Sequence, residues 1–173
     1  MEEIQVKPKK FILNYGLILG AVGIVFGVML MTQNMHYEQS LPIIIVSIVL
    51  TGVFVFLGVN AFKKANGGYL KIAEALKIGV GIALISTIIS LLYNYVLMTF
   101  IEPDFMDKAM EIAKTNAFAK NPKLTQEQWD TGVAMQEKFA WLRYPIGLII
   151  GCLLGLVLGL ISGLILKKSK DDY

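Results

Sequence analysis

Charge is scarce in this sequence, and its scarcity is organised. Asp, Glu, Lys and Arg make up 17% of 173 residues, and none falls within Phe11–Gln33, Leu41–Phe62, Ile78–Ile101 or Pro145–Leu166. Hydrophobic residues reach 55% and the mean hydropathy is +0.63, which excludes an ordinary water-surrounded domain. There is one cysteine, Cys152, so no internal disulfide forms, and it lies in apolar surroundings where a thiol is inert. There is one histidine, His36, and no metal-ligand spacing accompanies it. No phosphate-binding glycine loop is present, and no nucleophile has a plausible base nearby. The formal charge of +3 is too small and too segregated for a nucleic-acid surface. No cofactor, metal or nucleic-acid partner is therefore expected, and the chain is not expected to be an enzyme.

What is abundant is apolar length. Each of the four charge-free windows exceeds the roughly 20 residues a helix needs to cross a hydrocarbon core. They predict spans at about 11–32, 41–62, 78–101 and 145–166, in one membrane domain covering 1–173. The first window follows Lys7, Lys9 and Lys10 but is longer than a signal-peptide core and lacks a small-x-small cleavage site, so it reads as a retained span. Lysines orient the spans. Lys7, Lys9, Lys10, Lys63, Lys64, Lys71, Lys77, Lys167, Lys168 and Lys170 all fall on one side, while the opposite loop at 34–40 has none. This predicts a bacterial cytoplasmic membrane protein with both termini in the cytoplasm. Tyr37, Trp141 and Tyr144 suit the outer interface, Tyr15 and Tyr69 the inner one.

Glycine is the second abundance. Gly147, Gly151, Gly155, Gly159 and Gly163 recur at every fourth position of the last span, and Gly16, Gly20, Gly23 and Gly27 form a related row in the first. Rows of small residues let another backbone approach closely. Packing within the chain is the leading reading, with the two rows meeting each other as antiparallel neighbours. A homodimer through the last span and a glycine-lined pore in a larger oligomer are the rivals. Among the uncharged polar residues of the spans, Asn14 and Asn60 lie at similar depth and are expected to hydrogen-bond across helices.

Between the third and fourth spans lies an outer excursion, 102–144. Phe105, Met106, Ala109, Met110, Ala113 and Ala117 recur at helical spacing, Asn121-Pro122 breaks the helix, and Thr125 with Gln128 opens a second one as a capping box. A helical hairpin is expected, packed face to face and onto the bundle, with 104–142 as a candidate surface for a periplasmic or membrane partner. Glu102, Asp104 and Asp107 read as acids complementing a helix N-terminus, and His36 as a solvated loop residue. On the inner side, 69–77 reads as an interfacial lead-in to the third span.

The stretch GGYLKIAEALKIG at Gly67–Gly79, Tyr93-Asn94-Tyr95, Ile101-Glu102-Pro103-Asp104-Phe105 and the glycine-rich last span ending Leu166-Lys167-Lys168 carry a resemblance. The chain resembles the bacterial four-span membrane proteins catalogued as domain of unknown function 4199, although Ile72-Ala73-Glu74 departs from that family's usual wording. The resemblance implies a membrane address and a four-span layout, with no activity, ligand or catalytic residue attached. The reading is an all-α bundle of four transmembrane helices, bathed by the lipid bilayer. Its expected role is that of a non-enzymatic structural, accessory or partner-binding component; the alternative is a small oligomeric channel or transporter subunit.

Overall fold

A computed structural model describes residues 6–37 and 40–168; Lys170, counted above for orientation, lies outside them. Six α-helices appear among the described residues: α1 (Lys9–Thr32), α2 (Leu41–Ala65), α3 (Ile72–Val96), α4 (Phe105–Lys120), α5 (Gln126–Lys138) and α6 (Arg143–Leu166). A π-helical turn, Leu97–Ile101, prolongs α3, and a 3-10 turn, Ala140–Leu142, leads into α6. Four of these units are long and apolar enough to cross a membrane, so this is a multi-pass membrane protein. Their outward faces carry exposed Leu17, Val25, Val49, Leu153 and Ile165, which suits lipid rather than water.

The expected spans are recovered with longer ends. The lead-in at 69–77 is helical from Ile72 onward and continuous with the third span, since α3 begins there. Its start is capped by Glu74, whose carboxylate accepts the Lys71 backbone N–H at 2.8 Å. Gly67 and Gly68 turn the chain between α2 and α3 at φ +67° and +87°. Leu70, buried after that turn, pairs with Lys168 in an isolated antiparallel bridge that ties the turn to the C-terminal tail.

α3 is the central helix, with α6 on one side and α1 on the other; α2 touches all three less extensively. The small residues explain this. Gly79 and Gly81 are two apart, about 200° around a helix, so they lie on nearly opposite faces. A Cβ on Gly79 would sit 2.5 Å from the Gly155 carbonyl oxygen of α6, and one on Gly81 would sit 2.7 Å from Ile12 of α1. Residues of α3 thus fill the notches of both glycine rows.

The packed core gathers at the end of the bundle that holds the start of α1 and the end of α6. Leu19, Val55, Val59, Phe62, Leu70, Ala75, Ile78 and Ile82 are buried there, and Phe11 meets Phe62 edge to face with centroids 5.6 Å apart. At the opposite end the bundle is underfilled. Gly23, Ser47, Thr51 and Ser90 offer little volume, and most of the first half of α2 stays exposed. A cleft opens where the side chains run short.

Candidate functional site

Neither glycine row meets the other, which corrects the expected pairing. The row of α6 runs antiparallel along α3. A Cβ on Gly155 would lie 2.5 Å from the Ala83 Cβ and 2.6 Å from the Gly79 carbonyl oxygen; one on Gly159 would lie 2.9 Å from the Ala75 oxygen, and one on Gly163 2.9 Å from the Ala75 Cβ. A Cβ on Gly151 would strike the Thr87 side chain, whereas one on Gly147 would lie an ordinary 3.7 Å from Leu91. The α1 row receives knobs from the opposite face of α3: Ile85 at Gly16, Ile89 at Gly20 and Tyr93 at Gly27, with Gly23 only loosely approached by Ser90. Helical period identifies a small face but not its partner. The signal for the partner was present as Ala75, Gly79, Ala83 and Thr87, a second row at four-residue spacing. From Gly151 to Gly163 the α6 row is occupied by α3 of the same chain.

The Asn14–Asn60 pair is also not formed. Asn14 is exposed, about 200° around α1 from buried Gly16, and no hydrogen bond joins it to Asn60. Other polar side chains of the spans bond to their own helices. Ser47 donates to Ile43 O, Thr51 to Ser47 O, Ser86 to Ala83 O, Asn94 to Ser90 O and Ser162 to Leu158 O, at 2.8–3.0 Å.

The cleft at the underfilled end has a volume of about 530 Å³ and is walled by α1, α2, α3 and α6. Its apolar surface comes from residues such as Ile24, Phe26, Leu30, Ile48, Leu97 and Leu154, and His36 and Phe105 contribute to its lining. The self-bonded Ser47, Thr51 and Asn94 also line it, the two hydroxyls donating to their own helix and Asn94 giving one of its amide hydrogens to Ser90 O.

A polar cluster sits over this end, assembled from the α1–α2 loop and the start of α4. After α1, Asn34 adopts left-handed φ 55°, which reverses the chain and lets the Met35 N–H reach the Leu30 carbonyl at 2.9 Å. His36 and Tyr37 follow. From the other side, the π turn carries the backbone past the regular end of α3, closing as Glu102 N–H donates to Leu97 O at 2.7 Å. Glu102, restricted by Pro103, leaves the helix at φ −141°. Its Oε2 accepts from His36 Nε2 at 2.8 Å, and its Oε1 accepts from the Tyr37 hydroxyl and from Lys108 Nζ at 2.9 Å. Lys108 also pairs with Asp104 at 2.9 Å. The rings of His36, Tyr37 and Phe105 stack with centroids 4.0–5.6 Å apart.

His36 is therefore not a solvated loop residue. Its side chain is only 8% exposed, because the π turn delivers Glu102 onto it. Nor is Glu102 simply a helix-dipole complement. Donors from Tyr37, His36 and Lys108 hold its carboxyl down at about 2. The hydrogen bond to Glu102 pushes the Tyr37 hydroxyl up, and Glu102 and Asp104 push Lys108 up. Asp104 is lowered by its bond to Lys108, while Asp107 takes no part in the cluster. An ionised carboxylate only accepts, so the hydrogen between the two groups resides on His36 Nε2. The other ring nitrogen, Nδ1, is buried with no partner among the described residues.

α4 and α5 form where expected, and the Thr125–Gln128 capping box is present in both directions, at 3.0 and 3.2 Å. The packed hairpin is not. Neither helix buries a residue completely, and the rings of Phe118 and Trp129 meet only near the turn, 6.3 Å apart.

Among the described residues no group of His, Cys, Asp and Glu is placed to hold a metal ion. A family model described as "Protein of unknown function (DUF4199)" matches residues 14–168. No curated protein and no solved structure matches the chain.

Proposed function

The chain belongs to the DUF4199 family, and we propose that it is a non-enzymatic binding component of a bacterial cytoplasmic membrane, with the cleft as its binding site. The carrying observation is a cavity of small-molecule size among four helices, largely apolar in its lining, in which Ser47, Thr51 and Asn94 bond to their own helix backbones. Such walls favour an apolar segment entering from the bilayer. A solute pathway instead needs free polar groups to replace lost hydration, and the α3–α6 seam is closed by backbone contact. The lysine distribution supports cytoplasmic termini, with α4 and α5 on the opposite side.

The test uses single cysteines at Ser47 or Thr51 in a Cys152→Ala background, in proteoliposomes. A lipid-soluble thiol reagent is expected to label both positions, and a membrane-impermeant one neither. Labelling by the impermeant reagent together with solute flux refutes the reading in favour of the channel alternative. A cysteine at Gly132, on α5, tests sidedness in intact cells: it should react with the impermeant reagent from outside.

A further inference from the structure

We propose that the cleft holds the hydrocarbon chain of an anionic amphiphile, whose oxyanion head is taken by Arg143. The inference rests on the binding reading above and adds the chemistry of the occupant. Arg143 is the one arginine of the chain, and it opens α6 at the end of the bundle where the cleft lies. Ile150 and Leu154, which line the cleft, follow on the same face of that helix, both within about 20° of Arg143. Ile150 lies about 10 Å below it along the axis. The exposed Arg143 reaches across to α4, where its Nη1 donates to the Met106 sulfur at 3.5 Å. Met106 directly follows Phe105, another lining residue. These positions set the guanidinium at the rim of the cleft.

Charge selects the head. A guanidinium carries five N–H donors in a planar fork, and here one is spent, on a thioether that accepts weakly. No carboxylate among the described residues pairs with it. Lys108, by contrast, is shared between Glu102 and Asp104, and Glu102 is held further by Tyr37 and His36. Both acids of the cluster are thus engaged whichever charge His36 carries, and Arg143 is the cation left to receive an anion. Its fork meets two oxygens of a carboxylate or phosphate at once, and the positive end of the α6 dipole favours the same charge. Below the head, Ile24, Leu30, Ile150 and Leu154 wall a volume of about 530 Å³ for the chain. A fatty acid and a phosphatidylglycerol both carry this chemistry.

The experiment uses the full chain in phosphatidylcholine nanodiscs at about pH 8 with four diazirine probes: a fatty acid, its methyl ester, a phosphatidylglycerol and a phosphatidylcholine. Crosslinked peptides are mapped by mass spectrometry. At least one anionic probe should label cleft residues about tenfold more than its uncharged or zwitterionic counterpart, the factor that a hydrogen bond to a charged group confers. The arm that does so separates a one-chain from a two-chain source. Arg143→Gln should reduce the ratio to one, while Lys123→Gln, which removes an exposed cation between α4 and α5, should leave it unchanged. The ratio in the unsubstituted protein needs no variant, so a misfolded Arg143→Gln chain leaves the test intact. Equal labelling by anionic and control probes overturns the proposal while the binding reading stands. Absence of cleft labelling by every probe overturns both. An equal fall in the two variants overturns the assignment of the head to Arg143.

Discussion

Adding one methyl group at Gly155 probes the seam on which this fold depends. The new Cβ would lie 2.5 Å from the Ala83 Cβ, 2.6 Å from the Gly79 carbonyl oxygen and 3.1 Å from the Gly79 carbonyl carbon. Carbon atoms pack best at about 3.5–4.0 Å, so α3 and α6 must part by roughly 1 Å. Backbone atoms cannot swing aside as a side-chain end can. A gap of that size forfeits about a quarter to a half of the dispersion attraction along the seam. In lipid no hydrophobic term between helices makes up the loss. Overpacking costs of about 1–3 kcal/mol are typical, and Gly155→Ala should fall near the upper part of that range.

The assay is equilibrium unfolding in mixed micelles with rising SDS, in a Ser162→Cys, Cys152→Ala background. Ser162 is only 3% exposed, so its replacement thiol reacts on unfolding. The unfolding midpoint should drop for Gly155→Ala and stay unchanged for Gly147→Ala, whose nearest neighbour is 3.7 Å away. Equal midpoints for both variants would refute the seam. Loss of a dimer without loss of fold would place the glycine row between chains instead.

Three further outcomes follow from the same geometry. Glu102 has its folded value lowered from 4.5 to about 2, so its stabilisation is fully present above pH 4.5 and is lost as pH falls through 2. Hydrogen exchange at Met106–Lys108, corrected for intrinsic rates, should therefore be less protected at pH 3 than at pH 6, and Glu102→Gln should shrink the difference to the part owed to the Asp104–Lys108 pair. Gly68→Ala, at φ +87°, should destabilise by about 1–2 kcal/mol in the SDS titration, and no change there would contradict the left-handed turn. Gly132→Ala faces open space on α5 and should stabilise that helix locally by about 1 kcal/mol, read as slower exchange within Gln126–Lys138.

The number and extent of the spans were legible because a bilayer demands about 20 apolar residues in a row, and that demand is met locally. The Thr125–Gln128 cap was legible for the same reason: donor and acceptor lie three residues apart. The glycine faces could be read from helical period, yet their partner could not. Gly155 needs a small surface opposite, and the first span offered one as plainly as Ala75, Gly79 and Ala83 did.

His36 shows where sequence reading stops. Its burial depends on Glu102, 66 residues away, arriving over the loop by way of one π turn. The cleft is likewise invisible in any single segment, being the volume that Gly23, Ser47, Thr51 and Ser90 fail to fill between α1, α2, α3 and α6. Hydropathy and period are properties of one stretch of chain, so the sequence by itself determined four membrane-spanning helices, their small faces and the cap of α5. Which faces meet, which histidine is buried and where space remains are properties of several stretches at once, and only packing among α1, α2, α3 and α6 decided them.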